Sequence, residues 1–143
     1  MIKQDFSQEI NAPVEKVFAY VTDFHKFTEW QDGIIEATPI PDGPTRLGTQ
    51  FKTIRTMLGQ KLEATGEVTE FEPNRKFAFK STSGPIQFHL RQTYESISGG
   101  TKINIHIEVE AGGFFKLAEG ALAGNMKKMM ESQVMKLKDI LEK

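Results

Sequence analysis

The C-terminal segment constrains the fold more than any other stretch, because it is the only run long enough to form a major helix. Between residues 113 and 143, mostly apolar side chains recur at steps of three and four, as on one face of an α-helix. This stripe consists of Ala118, Leu122, Met126, Met129, Gln133, Leu137 and Ile140, widened by Met130, Val134 and Leu141. Most of the preceding chain has the pattern of β-strands, so we expect this helix to cover a sheet.

The composition limits the class of protein. A length of 143 residues is typical of one domain, and we expect a single domain over 1–143. The formal net charge of −1 gives no electrostatic reason to expect a nucleic-acid partner. The chain has no cysteine, which excludes disulfides, thiolate catalysis and zinc–thiolate sites.

The sequence carries no targeting signal that we recognise. Its first ten residues, MIKQDFSQEI, are polar and lack the apolar centre of a signal peptide. No apolar run approaches the roughly 18 residues of a membrane-spanning helix. We therefore expect a cytoplasmic protein with no stable membrane insertion.

The first third of the chain predicts one strand, two short helices and a second strand. Residues 2–10 alternate between apolar and polar, as in a half-buried strand. Pro13 suits the first turn of a helix, and Asp23 suits the cap of a second short helix. A short strand over 34–38 then leads into the Pro- and Gly-rich loop 39–44.

The middle of the chain predicts consecutive strands joined by short turns, at residues 49–57, 60–71, 76–81, 86–98 and 101–110. The off-parity spacing of Val68 and Phe71 indicates a bulge in the second of these. The resulting order, β-α-α-β-β-β-β-β-β-α, is typical of an α+β fold with an antiparallel sheet.

The turns predict which residues face one another. A two-residue turn at Gly99-Gly100 sets Leu90 opposite Val109 and Arg91 opposite Glu108, so apolar residues meet on one face and charges on the other. This register also places His89 near Glu110.

The same procedure applied to the turn at residues 82–85 sets Phe79 opposite Phe88. At the turn 58–59 it sets Arg55 opposite Leu62, which directs Arg55 inward unless a bulge reverses the strand.

Several motifs together resemble the START and birch-pollen-allergen superfamily, also described as SRPBCC or polyketide cyclase/dehydrase and lipid-transport-like. The resemblance covers essentially the whole chain and rests on Ile10-Asn11-Ala12-Pro13-Val14-Glu15-Lys16-Val17-Phe18, Trp30, Gly48, Val68-Thr69-Glu70-Phe71-Glu72-Pro73-Asn74-Arg75 and Gly99-Gly100-Thr101-Lys102. It implies a helix-grip fold, in which a strongly bent seven-stranded antiparallel sheet wraps around the long C-terminal helix. It also implies a cavity for lipids, sterols, polyketides or other apolar molecules.

The residues expected to face this cavity are mostly aromatic, aliphatic or methionine. They are Phe51, Leu62, Phe77, Phe79, Phe88, Leu90, Tyr94, Ile105 and Ile107 from the sheet, and Leu122, Met126, Met129 and Met130 from the helix. Met repacks readily and rings give large contact area, which suits an adaptable pocket. The alternative is that these side chains fill a solid core. Gly120 and Gly124 favour a cavity, because we expect them to leave space beside the sheet.

Three polar residues are candidates for binding the polar end of a ligand. Arg55 would bind a carboxylate or enolate oxygen, unless it is an exposed strand arginine. Gln92 and Tyr94 would donate hydrogen bonds to a ligand, unless they form a satisfied core pair or bind water.

The sequence gives little support for a metal site, a phosphate-binding loop or a nucleophilic serine. His25 lies in the early helix pair, and His89 and His106 fall on the outward face, so the histidines do not form a metal site. The chain contains no Gly-rich phosphate loop and no Ser-centred elbow. We expect neither a metal nor a cofactor.

The leading hypothesis is a non-catalytic protein that binds or carries a small hydrophobic molecule. The loops 57–60 and 82–85, with Gly112-Gly113, would form the mouth of its cavity. The first alternative is an enzyme of cyclase, aromatase or hydratase type, in which Arg55 stabilises an enolate while Tyr94 or Gln92 relays protons. The second is a co-chaperone-like protein-interaction module with an apolar patch around Phe114 and Phe115.

Overall fold

The computed structural model describes residues 2–31, 33–40, 42–57, 59–84, 86–111 and 119–143, with the backbone alone at 57 and 111. Its elements, in chain order, are β1 (Ile2–Ile10), α1 (Val14–Val21), a 3₁₀ turn (Phe24–Lys26), α2 (Phe27–Trp30), β2 (Ile34–Ile40), β3 (Gln50–Met57), β4 (Gln60–Glu72), β5 (Lys76–Ser83), β6 (Ile86–Ile97), β7 (Gly100–Ala111) and α3 (Glu119–Leu141).

The described strands form one seven-stranded sheet in the order β1-β7-β6-β5-β4-β3-β2. Every neighbouring pair is antiparallel. The long helix α3 contacts β1, and Gln4 Nε2 donates a hydrogen bond to the Ala123 carbonyl at 3.0 Å. The predicted α+β fold, with two short early helices and a long helix packed on an antiparallel sheet, is confirmed.

The short helices form as their caps predict. Pro13 is the N-cap of α1, whose buried face consists of Val17, Phe18 and Val21. The Asp23 side chain accepts a hydrogen bond from the backbone N–H of His25 at 3.0 Å, which caps the 3₁₀ turn. These caps set where the chain turns onto the sheet.

The register between β3 and β4 is the predicted one. Phe51 faces Gly66, and Arg55 faces Leu62. The register shift between Val68 and Glu70 confirms the bulge in β4. Arg55 therefore shares the inward parity of Phe51.

The predicted register between β6 and β7 is wrong by two residues. The turn is Ser98-Gly99, with Gly99 at a φ of 84°, and Ile97 faces Gly100. Gly100 lies inside β7 and close to β1, where a Cβ would come within 2.2 Å of the Ile10 carbonyl oxygen. This close packing accounts for a glycine at position 100, which is not part of the turn.

This shift changes the partners on the outer face. Arg91 faces His106 rather than Glu108, and its Nε instead lies 2.8 Å from a carboxylate oxygen of Glu70. His89 faces Glu108 rather than Glu110. Because the shift is even, every side chain keeps its predicted face.

The pairing between β5 and β6 is also shifted by two, so Phe79 faces Leu90 rather than Phe88. Strand β2 extends to Ile40 and includes Pro39, where the sequence predicts a loop from 39 onward. As the edge strand, β2 tolerates a proline that a central strand would exclude.

Candidate functional site

One end of the sheet's inner face is filled by aromatic rings. The Phe18 ring lies 5.0 Å from that of Tyr94 and 5.4 Å from that of Phe71, in edge-to-face contact. Phe24, in the 3₁₀ turn, lies 6.3 Å from Phe77, which is fully buried. This cluster, which we call the aromatic end, lies under α1 and the 3₁₀ turn.

The other end of that face encloses a cavity of about 100 Å³ beneath α3. Thirteen of the fifteen residues predicted to face it line it: Phe51, Arg55, Leu62, Phe79, Phe88, Leu90, Gln92, Ile105, Ile107, Leu122, Met126, Met129 and Met130. The structure therefore brings these residues together around one space, which we call the cavity end. Their role in binding a ligand stays a prediction.

Phe77 and Tyr94, the other two predicted residues, are buried beside the cavity rather than on its wall. Phe77 packs against the Phe71 and Phe79 rings. Tyr94 packs against Phe18, because α1 rather than α3 covers its part of β6. Strand parity places both side chains on the inner face, but it does not specify which helix covers them.

The structure adds nine wall residues that were not predicted: Phe27, Trp30, Gln31, Ile34, Thr53, Ala64, Ile86, Val109 and Gln133. Some of these residues could have been predicted from the sequence, and others could not. Thr53 and Ala64 face each other in the predicted β3–β4 register, so the sequence contained their position. Phe27 and Trp30 lie on α2, and Gln31 follows it. Because the docking of α2 against the sheet depends on tertiary packing, the sequence did not reveal their position.

Gly120 and Gly124 do not leave space beside the sheet, as the sequence led us to expect. Both are exposed on α3, and a Cβ added at either position meets nothing within 4 Å among the described residues. That inference was wrong because the side of α3 that faces the sheet is set by Leu122, Met126 and Met130.

The C-terminal end of α3 is fastened to the start of the chain by several polar contacts. Asn11 donates its backbone N–H to a carboxylate oxygen of Glu142 at 2.9 Å. Lys16 Nζ donates to the Leu141 carbonyl at 3.1 Å, and Lys138 Nζ lies 3.4 Å from the Glu9 carbonyl.

Arg55 is partly buried on the cavity wall, as its predicted inward register requires. Its guanidinium makes two weak contacts, 3.8 Å to the Met129 Sδ and 3.4 Å to the Gln31 Oε1. No carboxylate of the described ranges forms a salt bridge with it. Desolvation lowers the pKa of Arg55 to about 10, so it remains a cation at neutral pH.

Gln92 and Tyr94 form the satisfied pair that was one of their two predicted alternatives. The Tyr94 hydroxyl donates a hydrogen bond to Gln92 Oε1 at 2.5 Å. Burial raises the pKa of Tyr94 well above its ordinary value. The carbonyl oxygen of Gln92 therefore already accepts one hydrogen bond from within the protein.

Two further wall residues carry buried donors without a partner in the described part of the chain. These are the indole Nε1 of Trp30 and the amide Nε2 of Gln133. Buried polar groups are usually hydrogen-bonded, so such atoms mark either strain or a place for another molecule.

The histidines lie outside the cavity. His25 lies 2.9 Å from Asp42. His106 lies between Glu108 and Asp5, and hydrogen bonds to these two carboxylates raise the pKa of His106. Within the described ranges, no group of three or more His, Cys, Asp and Glu side chains is placed to hold a metal ion.

No helix among the described residues is long and apolar enough to cross a membrane. Phe114, Phe115 and Gly112-Gly113 fall outside the described residues, so the proposed apolar patch and part of the mouth stay predictions.

A bent antiparallel sheet closed by one long helix defines the helix-grip class of fold. The chain belongs to the family of polyketide cyclases/dehydrases and lipid transport proteins, whose sequence profile matches residues 1–142. The resemblance seen in the sequence is thereby confirmed. Membership of this family suggests binding of a hydrophobic ligand.

Solved structures share the fold at low sequence identity. A START superfamily protein from Mycobacterium smegmatis is 15% identical over 98% of this chain and 97% of its own, with a TM-score of 0.77. The protein TTHA0849 from Thermus thermophilus is 14% identical over 95% and 97%, with a TM-score of 0.75. Ara h 8.0201 is 12% identical over 98% and 97%, with a TM-score of 0.69. Comparison with curated proteins finds no significant match.

Proposed function

We propose that the protein binds and carries a small hydrophobic molecule, such as a lipid, a polyketide or another apolar or aromatic metabolite, between the sheet and α3. The observation that carries this proposal is the single space on which thirteen predicted wall residues converge. Ligand sites are usually concave and apolar with a few polar groups, which matches this wall.

The size of the cavity limits what enters without rearrangement. A volume of about 100 Å³ is smaller than the roughly 150 Å³ engineered cavity that accommodates benzene. A larger ligand must displace side chains, and Met126, Met129 and Met130 are suited to this because an unbranched thioether repacks at low cost. We therefore favour a compact ligand or one that reorders these methionines.

The cyclase-type alternative requires Arg55, Gln92 and Tyr94 to act on one substrate. Arg55 and Gln92 line the cavity, but the Tyr94 hydroxyl lies beside it and is bonded to Gln92. A phenol with a raised pKa and an occupied proton is a poor relay at neutral pH. This arrangement favours binding without chemistry over the enzyme alternative.

The protein-interaction alternative depends on the patch around Phe114 and Phe115. No observation on the described residues favours it over ligand binding.

A thermal-shift panel tests the proposal. Fatty acids, sterols and aromatic polyketides are added separately. A compound that binds the native state raises the melting temperature, and at a concentration of 100 times its dissociation constant it stabilises the native state by about 2.7 kcal/mol. Ala64→Leu places three carbons into the cavity and should abolish the shift, whereas Ala121→Leu makes the same change at an exposed site on α3 and should preserve it. The absence of any stabilising compound, or an unchanged shift in Ala64→Leu, would contradict the proposal.

A further inference from the structure

We infer that the ligand is a compact monocarboxylate, whose carboxylate binds the Arg55 guanidinium while its apolar body occupies the cavity. This inference rests on the proposed function and specifies its ligand class. It follows from the charge, the hydrogen-bonding groups and the volume of the cavity.

The charge of the wall is the first argument. Arg55 is the only charged side chain among the described residues that line the cavity. Among the described residues, its two contacts, at 3.8 Å to a thioether and 3.4 Å to an amide oxygen, leave most of its five N–H donors unused. A desolvated cation without a counter-ion is costly, and a carboxylate matches the planar guanidinium with two parallel hydrogen bonds. One positive charge calls for one negative charge, which favours a monoanion over a phosphate dianion.

The remaining polar groups are the second argument, because what they offer is mainly hydrogen-bond donors. Trp30 is 3% exposed and Gln133 is 2% exposed, and each carries a buried nitrogen donor without a partner among the described residues. The carbonyl oxygen of Gln92 already accepts from Tyr94. A carboxylate only accepts hydrogen bonds, so it complements this set. A neutral ester would satisfy a donor but would leave the charge of Arg55 unpaired.

The volume is the third argument. About 100 Å³ of space admits a single ring or a short chain after limited repacking of the methionines, whereas a sterol or a long acyl chain would need extensive repacking. This favours a monocyclic aromatic or medium-chain acid.

The chain supplies its own reporter for the test. It contains one tryptophan, Trp30, and that residue lines the cavity, so binding should change the tryptophan emission. Octanoic acid and 3-phenylpropanoic acid are titrated at pH 7.5 beside their methyl esters, which keep the apolar body and remove the charge. Each acid should bind at least tenfold more tightly than its ester, a difference of about 1.4 kcal/mol.

Variants assign this preference to one residue. Arg55→Met should lower the affinity for each acid to that for its ester and leave ester binding within twofold. The matched control, Arg91→Met, removes the same charge on the outer face, where Arg91 pairs with Glu70, and should keep the preference for the acid.

The outcomes separate the two proposals. If acid and ester bind the native protein equally, or if Arg55→Met weakens both equally, the carboxylate inference is overturned while the proposed function stands. If none of the four probes binds, and the thermal-shift panel also gives no ligand, both are overturned. The comparison of acid with ester uses the unmodified chain, so it decides the matter even if Arg55→Met does not fold.

Discussion

The two ends of the sheet's inner face differ in what fills them. At the aromatic end, rings contact one another edge to face, as Phe18 does with Tyr94 and Phe71 with Phe77. At the cavity end, five aromatic residues, three methionines, aliphatic residues and the polar Arg55 and Gln133 surround an incompletely filled space. One face of one sheet thus combines a rigid support with an adaptable wall.

The largest expected effect compares truncations at the two ends. Phe77→Ala should lower the free energy of unfolding by about 3–5 kcal/mol, because it removes a fully buried ring from the aromatic end. Met129→Ala should cost about 1 kcal/mol, since Met129 is half-buried beside existing space. Urea unfolding of both variants measures the difference. Equal losses would mean that the cavity end is packed as tightly as the aromatic end.

A smaller effect of opposite sign concerns a polar residue of the cavity end. Gln133→Leu should stabilise the ligand-free protein by about 1 kcal/mol, because it removes a buried donor that has no partner among the described residues. The same change should weaken acid binding, which would show that the site is maintained at a cost in stability. Gln87→Leu, the same substitution at an exposed position, is the control and should alter the free energy of unfolding by less than about 0.5 kcal/mol. Destabilisation by Gln133→Leu would indicate that the amide is satisfied.

The smallest expected effect tests whether a glycine within α3 lowers the stability of the protein. Gly124→Ala should stabilise the protein by up to about 1 kcal/mol, because glycine is a poor helix former and the added methyl group meets nothing among the described residues. Gly99→Ala is the contrasting variant. Its φ of +84° disfavours a side chain, so it should be destabilising. Thermal unfolding compares the two, and a loss of stability in Gly124→Ala would reveal packing on that side of α3.

The sequence predicted the architecture because most of its signals are local. Alternation, caps and turn residues identified the strands and the short helices, and the turn at 58–59 placed Arg55 correctly. The β6–β7 register failed because alternation has a period of two and cannot detect an even shift. Ser98-Gly99 and Gly99-Gly100 both suit a tight turn, and only the contact of Gly100 with Ile10 distinguishes them.

The wall of the cavity was predictable to the extent that it consists of strands. Parity on β3 to β7 identified most of its sheet residues but not Thr53, Ala64, Ile86 and Val109, and the spacing on α3 identified its methionines. Trp30 and Gln31 were not predicted as wall residues, because no local sequence pattern specifies how α2 docks on the sheet. Tyr94 was assigned to the wall because its parity is correct, although α1 covers that part of β6.

Because α3 is fastened at its C-terminal end, any rotation about that end would displace its first turn the most. Asn11 and Lys16 hold its last turn, and nearer its other end Gln4 donates a hydrogen bond to the Ala123 carbonyl. With 23 residues at about 1.5 Å each, the helix is roughly 34 Å long. A tilt of about 5° around the fastened end would therefore move its first turn by about 3 Å. The fastened end thus fixes the part of the helix that any such rotation displaces least.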